Sequence, residues 1–356
     1  MLPSLPSYAE LHCRSNFTFL HGASHPEELV ERACDLGYSS LAITDECSLA
    51  GVVRAHVEAK KRGLHLIIGS EIKLACGTKL LFLARNKTGY GNLSELITLA
   101  RRRAAKGSYT LYRSDLDAQA DASAAHLMYL QDCLAILLPQ RSASYDELSE
   151  QAAWLRQTFG THAWIAVELL HWSGDEHWHA QLKELSAQQS LPLVAMGDVL
   201  MHVRSRKPLQ DTLTAVRLGK SIAECGMDLQ PNAEQHLRSR LRLSQVYPAA
   251  LLEETLRLAE LCTFSLEELR YQYPKEIVPA GETMSAYLRR LTYEGATQRR
   301  YKNGIPEKFQ KQIEHELSLI HELRYEPYFL TVYDICLLYT SPSPRDLSTS
   351  RMPSSA

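Results

Sequence analysis

Along the first two hundred residues, short apolar runs alternate with amphipathic stretches, and most of the apolar runs end on a residue able to hold a proton or a metal. Strands are expected at residues 8–12 ("YAELH") and at "SLAIT", "LHLIIGSEI", "KLLFLAR", "CLAILLP", "AWIAVELL" and "LPLVAMGDV". Helices fall between them: Pro26 to Leu36 with Ser24 as cap, "AGVVRAHVEAKKRG" closed by Gly63, "GNLSELITLARRRA", and residues 145–158. This alternation builds β–α–β units on a largely parallel sheet. Six or seven repeats favour a closed α/β barrel over an open sheet. A barrel gathers the C-terminal ends of its strands at one mouth, where such folds place their chemistry. Those ends are His12, Asp45, Glu71, Cys133, Glu168 and Asp198.

Composition narrows the partners. With 45% hydrophobic and 22% charged residues in 356, the chain can bury a substantial core. A formal net charge of −2 sets up no global field for nucleic acid or membrane, so any basic surface is local. The eight cysteines include no C-x-x-C pair, which argues against a disulfide framework or a zinc ribbon. No apolar run reaches membrane-spanning length, and "MLPSLPSYAELHC" lacks the charged and apolar regions of a signal peptide. A cytoplasmic protein is expected.

The pattern changes near residue 205. The expected units are a barrel over 7–205, the close of that domain with connecting helices over 206–277, and a further unit over 278–336. That last unit opens on the linker "VPAGE" and continues with charged helices at 283–301 and 306–324. The second of these carries Phe309, Ile313, Leu317 and Ile320 on one stripe. Residues 337–356, "LLYTSPSPRDLSTSRMPSSA", are rich in Ser and Pro without periodicity, and are expected to be a non-native or disordered tail.

Long strings carry a family resemblance. "LHCRSNFTFLHGASHPEELVERACDLGYSSLAITDECSLAGVVRAH" with "IIGSEI" resembles the PHP (polymerase and histidinol phosphatase) domain of bacterial C-family DNA polymerases, relatives of the polymerase III alpha subunit. "GYGNLSELITLARRRAAKGSY", "GDVLMHVRSRKPLQDTLTAVR", "LRYQYPKEIVPAGETMSAYLRRLTYEGA" and "HELSLIHELRYEPYFLTVYDI" extend the likeness to the error-prone, damage-associated branch. The resemblance implies a PHP-type barrel of about seven strands followed by an incomplete, mainly helical approach to a polymerase palm. The palm's catalytic aspartates would lie outside this chain. "SDLDAQADASAA" (114–125) falls in the barrel region and reads as a solvated loop. For the parent protein the resemblance implies Mg2+, primed DNA, deoxynucleoside triphosphates, a sliding clamp and other translesion proteins, and no membrane.

Against the family's metal-binding pattern, His-x-His is here His12-Cys13-Arg14, and Thr-Asp-His is Thr44-Asp45-Glu46. Glu71, Cys133 and Asp198 match ligand positions, Lys79 stands where a strand-opening His is found, and Leu200 replaces another His. A guanidinium cannot coordinate a metal, but among Asp45, Glu71 and Asp198 it would take over the cation's place. The leading expectation is therefore a vestigial, metal-free site closed by internal salt bridges. A residual Mn2+ or Zn2+ site on His12, Asp45, Glu71 and Asp198, and a working phosphoesterase, are the alternatives.

Other features have blander readings. His21, His25, His56 and His65 read as surface or capping residues, and "HWSGDEHWH" (171–179) as a partly exposed aromatic loop. "RRRAAKG" is a helix end or a phosphate contact, while Arg204, Arg206 and Lys207 are candidates for contact with DNA. Arg289, Arg290, Arg299 and Arg300 form another charged helix that could face nucleic acid.

Overall fold

A computed structural model of the chain describes residues 5–117, 127, 130–269 and 278–340. Seven strands follow one another in a single sheet: β1 (Ala9–Glu10), β2 (Ser40–Ile43), β3 (His65–Lys73), β4 (Lys79–Ala84), β5 (Cys133–Leu137), β6 (Ala163–Glu168) and β7 (Leu193–Met196). Neighbours are parallel except at β4, which runs antiparallel to both β3 and β5. Between them lie α1 (Pro26–Asp35), α2 (Val52–Arg62), α3 (Lys87–Arg102), α4 (Tyr145–Phe159) and α5 (Asp175–Gln189). The α/β barrel expected from the sequence is what forms.

Closure is uneven. At the mouth, Cys13 bridges Val199, with the Arg14 amide donating to Val199 O and the Val199 amide to His12 O, both at 2.9 Å. Below this bridge β1 and β7 do not pair. Helix α9 (Ala249–Leu261) packs against both instead, and its Thr255 Oγ1 accepts from the Ala9 amide at 3.2 Å. A buried amide needs a partner, and a side chain supplies what the missing strand contact would have. Before α9 come α6 (Lys207–Leu218), α7 (Ile222–Cys225) and α8 (Arg240–Val246). All of these belong to one compact unit ending at Leu269, so residues 206–269 complete the barrel unit.

Strand periodicity sets the lumen. Side chains alternate faces along a strand, and one buried cluster is made of alternate residues such as Ile67, Leu81, Ile136, Ala166 and Met196. Helix α9 adds Leu258 and Ala259 to it, and Cys262 just past its end joins them. The opposite faces pack beneath the helices with Leu29, Phe82, Leu93 and Leu182.

The second unit contains α10 (Met284–Arg299), α11 (Glu307–Glu322) and α12 (Glu326–Thr340). Helix α12 runs through 337–340, so the first residues of the expected tail continue a helix, while 341–356 lie outside the described residues. In "SDLDAQADASAA", Asp115 is buried, accepting from Arg103 Nη1 at 2.6 Å and from the Tyr112 amide at 2.8 Å. That end is not a solvated loop, and residues 118–125 lie outside the described residues.

Candidate functional site at the barrel mouth

The face that fills the lumen runs directly into the mouth. Two residues beyond Ala166 is Glu168, two beyond Met196 is Asp198, and the sequence Ile67, Gly69, Glu71 ends in a third carboxylate. Because β4 runs the other way, it presents its first residue, Lys79, at this end. A cleft of about 440 Å³ opens there, lined by His12, Arg14, Glu46, Glu71, Glu168 and Asp198 among others.

His12 is wedged between two carboxylates: Nε2 lies 2.9 Å from Glu71 Oε2 and Nδ1 lies 2.7 Å from Glu168 Oε1. Burial opposes charge on the ring, but these two hydrogen bonds outweigh it and raise its pKa to about 10. Each ring nitrogen thus faces a carboxylate oxygen, an arrangement that favours the charged ring. Arg14 contacts Glu71 Oε2 through Nη1 at 3.1 Å and donates to Asp198 Oδ1 through Nη2. Lys79 Nζ stands 3.5 Å from Glu71 Oε1. Burial alone would raise the Glu71 pKa; Arg14, His12 and Lys79 instead hold it well below the carboxylate range. The second oxygen of Asp198 accepts from Gln235 Nε2 at 2.5 Å.

Two expected site residues stand elsewhere. Asp45 has the opposite strand parity to Ala42 and turns away from Arg14. Its Oδ1 accepts from the Ser15 amide (2.7 Å) and Thr18 Oγ1 (2.8 Å), and its Oδ2 from Ser15 Oγ (2.8 Å). Gly51 leaves room for this cage, since a Cβ there would lie 2.6 Å from Oδ2. Glu46, with the lumen's parity, reaches the cleft in its place, and its Oε1 accepts from Tyr109 OH at 2.6 Å. Cys133 opens β5 instead of ending it, so it sits at the far end of the barrel and on the outer face. Its Sγ donates to Gly89 O at 3.3 Å. Leu200 lines the cleft as expected and offers no ligand atom.

Among the described residues, one group offers ligand atoms within 4.8 Å of one another: His12, Glu168 and Asp198. Glu168, a strand end in the sequence, joins the cluster that Asp45 leaves. The donor set fits a metal poorly, because both ring nitrogens of His12 already face carboxylates and Arg14 already occupies Asp198.

The basic clusters are internally paired. Arg204 contacts Glu234, Arg206 contacts Glu28 and Lys207 contacts Asp211. Each already has a carboxylate of its own chain, and the Arg204 and Arg206 side chains stay 64% and 36% exposed. Arg101 lies over the Tyr109 ring at 5.3 Å and donates to Cys47 O at 3.1 Å, pinning the loop that carries Glu46. Arg289 pairs with Glu314, and Arg290 with Glu282 (3.1 Å) and Glu294 (3.2 Å). In "HWSGDEHWH", Trp172 and Trp178 flank Arg141, whose guanidinium lies 5.1 and 5.3 Å from the two rings, and Trp178 is buried in α5.

Two family descriptions match the chain: "PHP domain" over residues 10–169, and "Bacterial DNA polymerase III alpha NTPase domain" over 286–341. The chain is 56% identical to the error-prone DNA polymerase of Bordetella parapertussis over 336 residues, 93% of this chain and 32% of that protein. The corresponding protein of Dechloromonas aromatica is 56% identical over 332 residues, 93% of this chain and 31% of its own length. This chain therefore spans about a third of the length of the curated relatives it matches. Among solved structures, an amidohydrolase from Chromobacterium violaceum matches with a TM-score of 0.39 and 15% identity, covering 55% of this chain and 88% of that one. That likeness carries no functional argument. No helix among the described residues is long and apolar enough to cross a membrane.

Proposed function

We propose that this chain, a PHP-domain-bearing homologue of error-prone DNA polymerases, is part of such a polymerase, and that its barrel is a structural module with no hydrolytic role. The whole protein would extend primed DNA with deoxynucleoside triphosphates and Mg2+ during translesion synthesis in the cytoplasm. The sliding clamp and other translesion proteins would be its partners. Nucleotide transfer would use residues outside this chain.

One observation carries the reading of the barrel: protein cations fill the space between the mouth carboxylates. His12 bridges Glu71 and Glu168, and Arg14 bridges Glu71 and Asp198. Loading a metal would strip a proton from His12 and displace a buried guanidinium from its partners, both costly in a low-dielectric site. A second reading, one Mn2+ or Zn2+ on His12, Glu168 and Asp198, is favoured only by the convergence of their ligand atoms within 4.8 Å.

Elemental analysis of protein purified without chelator, paired with a phosphodiester hydrolysis assay in added Mn2+ or Zn2+, decides between them. Substoichiometric metal and no turnover are expected. A full equivalent of metal released by His12→Ala, or hydrolysis lost in that variant, overturns the structural reading.

A further inference from the structure

Beneath the mouth lies a buried polar cluster that belongs to no pair described so far. Tyr247, 3% exposed, donates its hydroxyl proton to Met196 O (2.7 Å) and accepts from the Leu169 amide (3.0 Å). Arg238, 2% exposed, lies with its guanidinium 5.5 Å from the Tyr247 ring centroid; it donates to Leu169 O (2.8 Å) and to Tyr247 Oη (3.2 Å). Glu10, also 2% exposed, accepts from the His12 amide and the Gly197 amide, each at 3.0 Å, and from Tyr8 OH at 2.9 Å. A Cβ at position 197 would lie 2.4 Å from Glu10 Oε2, so only glycine admits this approach.

The backbone atoms held in this way are not scattered. Leu169 follows Glu168, Met196 and Gly197 precede Asp198, and the His12 amide is that of the wedged histidine itself. Asp198 needs such support, because its φ of 44° lies in the left-handed region, which residues other than glycine seldom adopt. The strand ends of β1, β6 and β7 are therefore tied together just where β1 and β7 stop pairing. Two of the three side chains come from a segment some forty residues beyond β7.

We propose that Tyr247, acting with Arg238 and Glu10, is the positioning element of the mouth: it sets the spacing of Glu168 and Asp198 so that both close on His12 and Arg14. The inference rests on the salt-bridged reading of the mouth. It adds that this arrangement is imposed from below, by groups that touch none of the paired side chains except through the backbone.

The test is proton NMR of the full chain labelled with 15N-histidine at neutral pH, with the His12 signals assigned by their loss in His12→Gln. Both His12 ring N–H protons should exchange slowly in the natural protein. In Tyr247→Phe the ring stays and the hydroxyl goes, so exchange should quicken roughly tenfold or more while cooperative unfolding persists. Tyr38→Phe removes another hydroxyl of the same cluster, the one that donates to Arg238 O at 2.6 Å away from the strand ends, and should leave exchange unchanged. Unchanged exchange in Tyr247→Phe, or equal acceleration in both variants, overturns the proposal. If Tyr247→Phe does not fold, Arg238→Lys should give the same acceleration. Failure of both to fold also counts against it, since the cluster would then be a general determinant of folding. Absence of slow ring protons in the natural protein would instead sink the salt-bridged reading beneath it.

Discussion

Up to Leu269 the apolar side chains bury one another; in the unit that follows they mostly meet water. Every described barrel strand is nearly or wholly inaccessible along its length, apart from single residues at a strand end. Among the described residues after 277, Leu288 and Leu330 are the buried apolar side chains, while Phe329, Val332 and Ile335 of α12 are 43%, 41% and 49% exposed. A helix apolar around its whole circumference is one made to be buried. The charges divide in the same way. Arg14 is enclosed with two carboxylates, whereas Arg289 faces its Glu314 on the surface with half its side chain exposed. The first unit carries its own reasons to fold, and the described helices of the second leave most of their apolar surface uncovered.

The strongest way to break this contrast is to separate the units. A chain ending at Leu269 should unfold cooperatively and be more soluble than the full 356 residues, while 278–340 alone should show no cooperative transition by circular dichroism. Equal solubility of the two longer chains would refute the idea that the helical unit is the exposed liability.

Next in size is the buried charge. Arg14→Ala should destabilise the barrel by about 3–5 kcal/mol in urea titrations, because Glu71 and Asp198 lose their buried partner. The exposed counterpart Arg289→Ala should cost less than about 1 kcal/mol. Comparable losses would mean that burial does not separate the two pairs.

Apolar truncation should show the same asymmetry. Ile67→Ala in the filled lumen is expected to cost about 2–5 kcal/mol. Val332→Ala on the exposed helix should change stability by no more than about 0.5 kcal/mol.

The last effect is in pH, and it is gradual. His12 has its folded pKa raised to about 10, against about 6.5 in an unfolded chain. Its contribution is complete below about pH 6.5 and is lost as pH rises towards about 10. Stability should fall by at most about 1.4 kcal/mol per pH unit across that window. His12→Gln should flatten this slope, and an unchanged slope would show that His12 is not the group responsible.

Much of the barrel was legible in the sequence because β–α alternation is a local signal: seven apolar runs became seven strands. The mouth was partly legible for the same reason, since strand ends place His12, Glu71, Glu168 and Asp198 together. The misplacements follow from what a run of letters leaves open. Cys133 was read as a strand end because "QDCLAIL" does not announce where the strand starts. Asp45 was ranked above Glu46, although one step along a strand exchanges the two faces. Gln235, Arg238 and Tyr247 carried no signal at all, since nothing near them in sequence points back to a barrel some forty residues upstream.

What the sequence determined by itself is therefore the kind of fold, the order of its strands and the presence, two residues after His12, of Arg14, a cation that cannot coordinate metal. Only the tertiary structure decided which carboxylates that cation serves and that Asp45 is served by hydroxyls instead. It also revealed that α9 and the 234–247 segment complete a sheet that does not quite close. The physical reason is range: periodicity and side-chain chemistry are properties of neighbouring residues, whereas ion pairing and burial depend on atoms brought within a few ångströms by the whole chain.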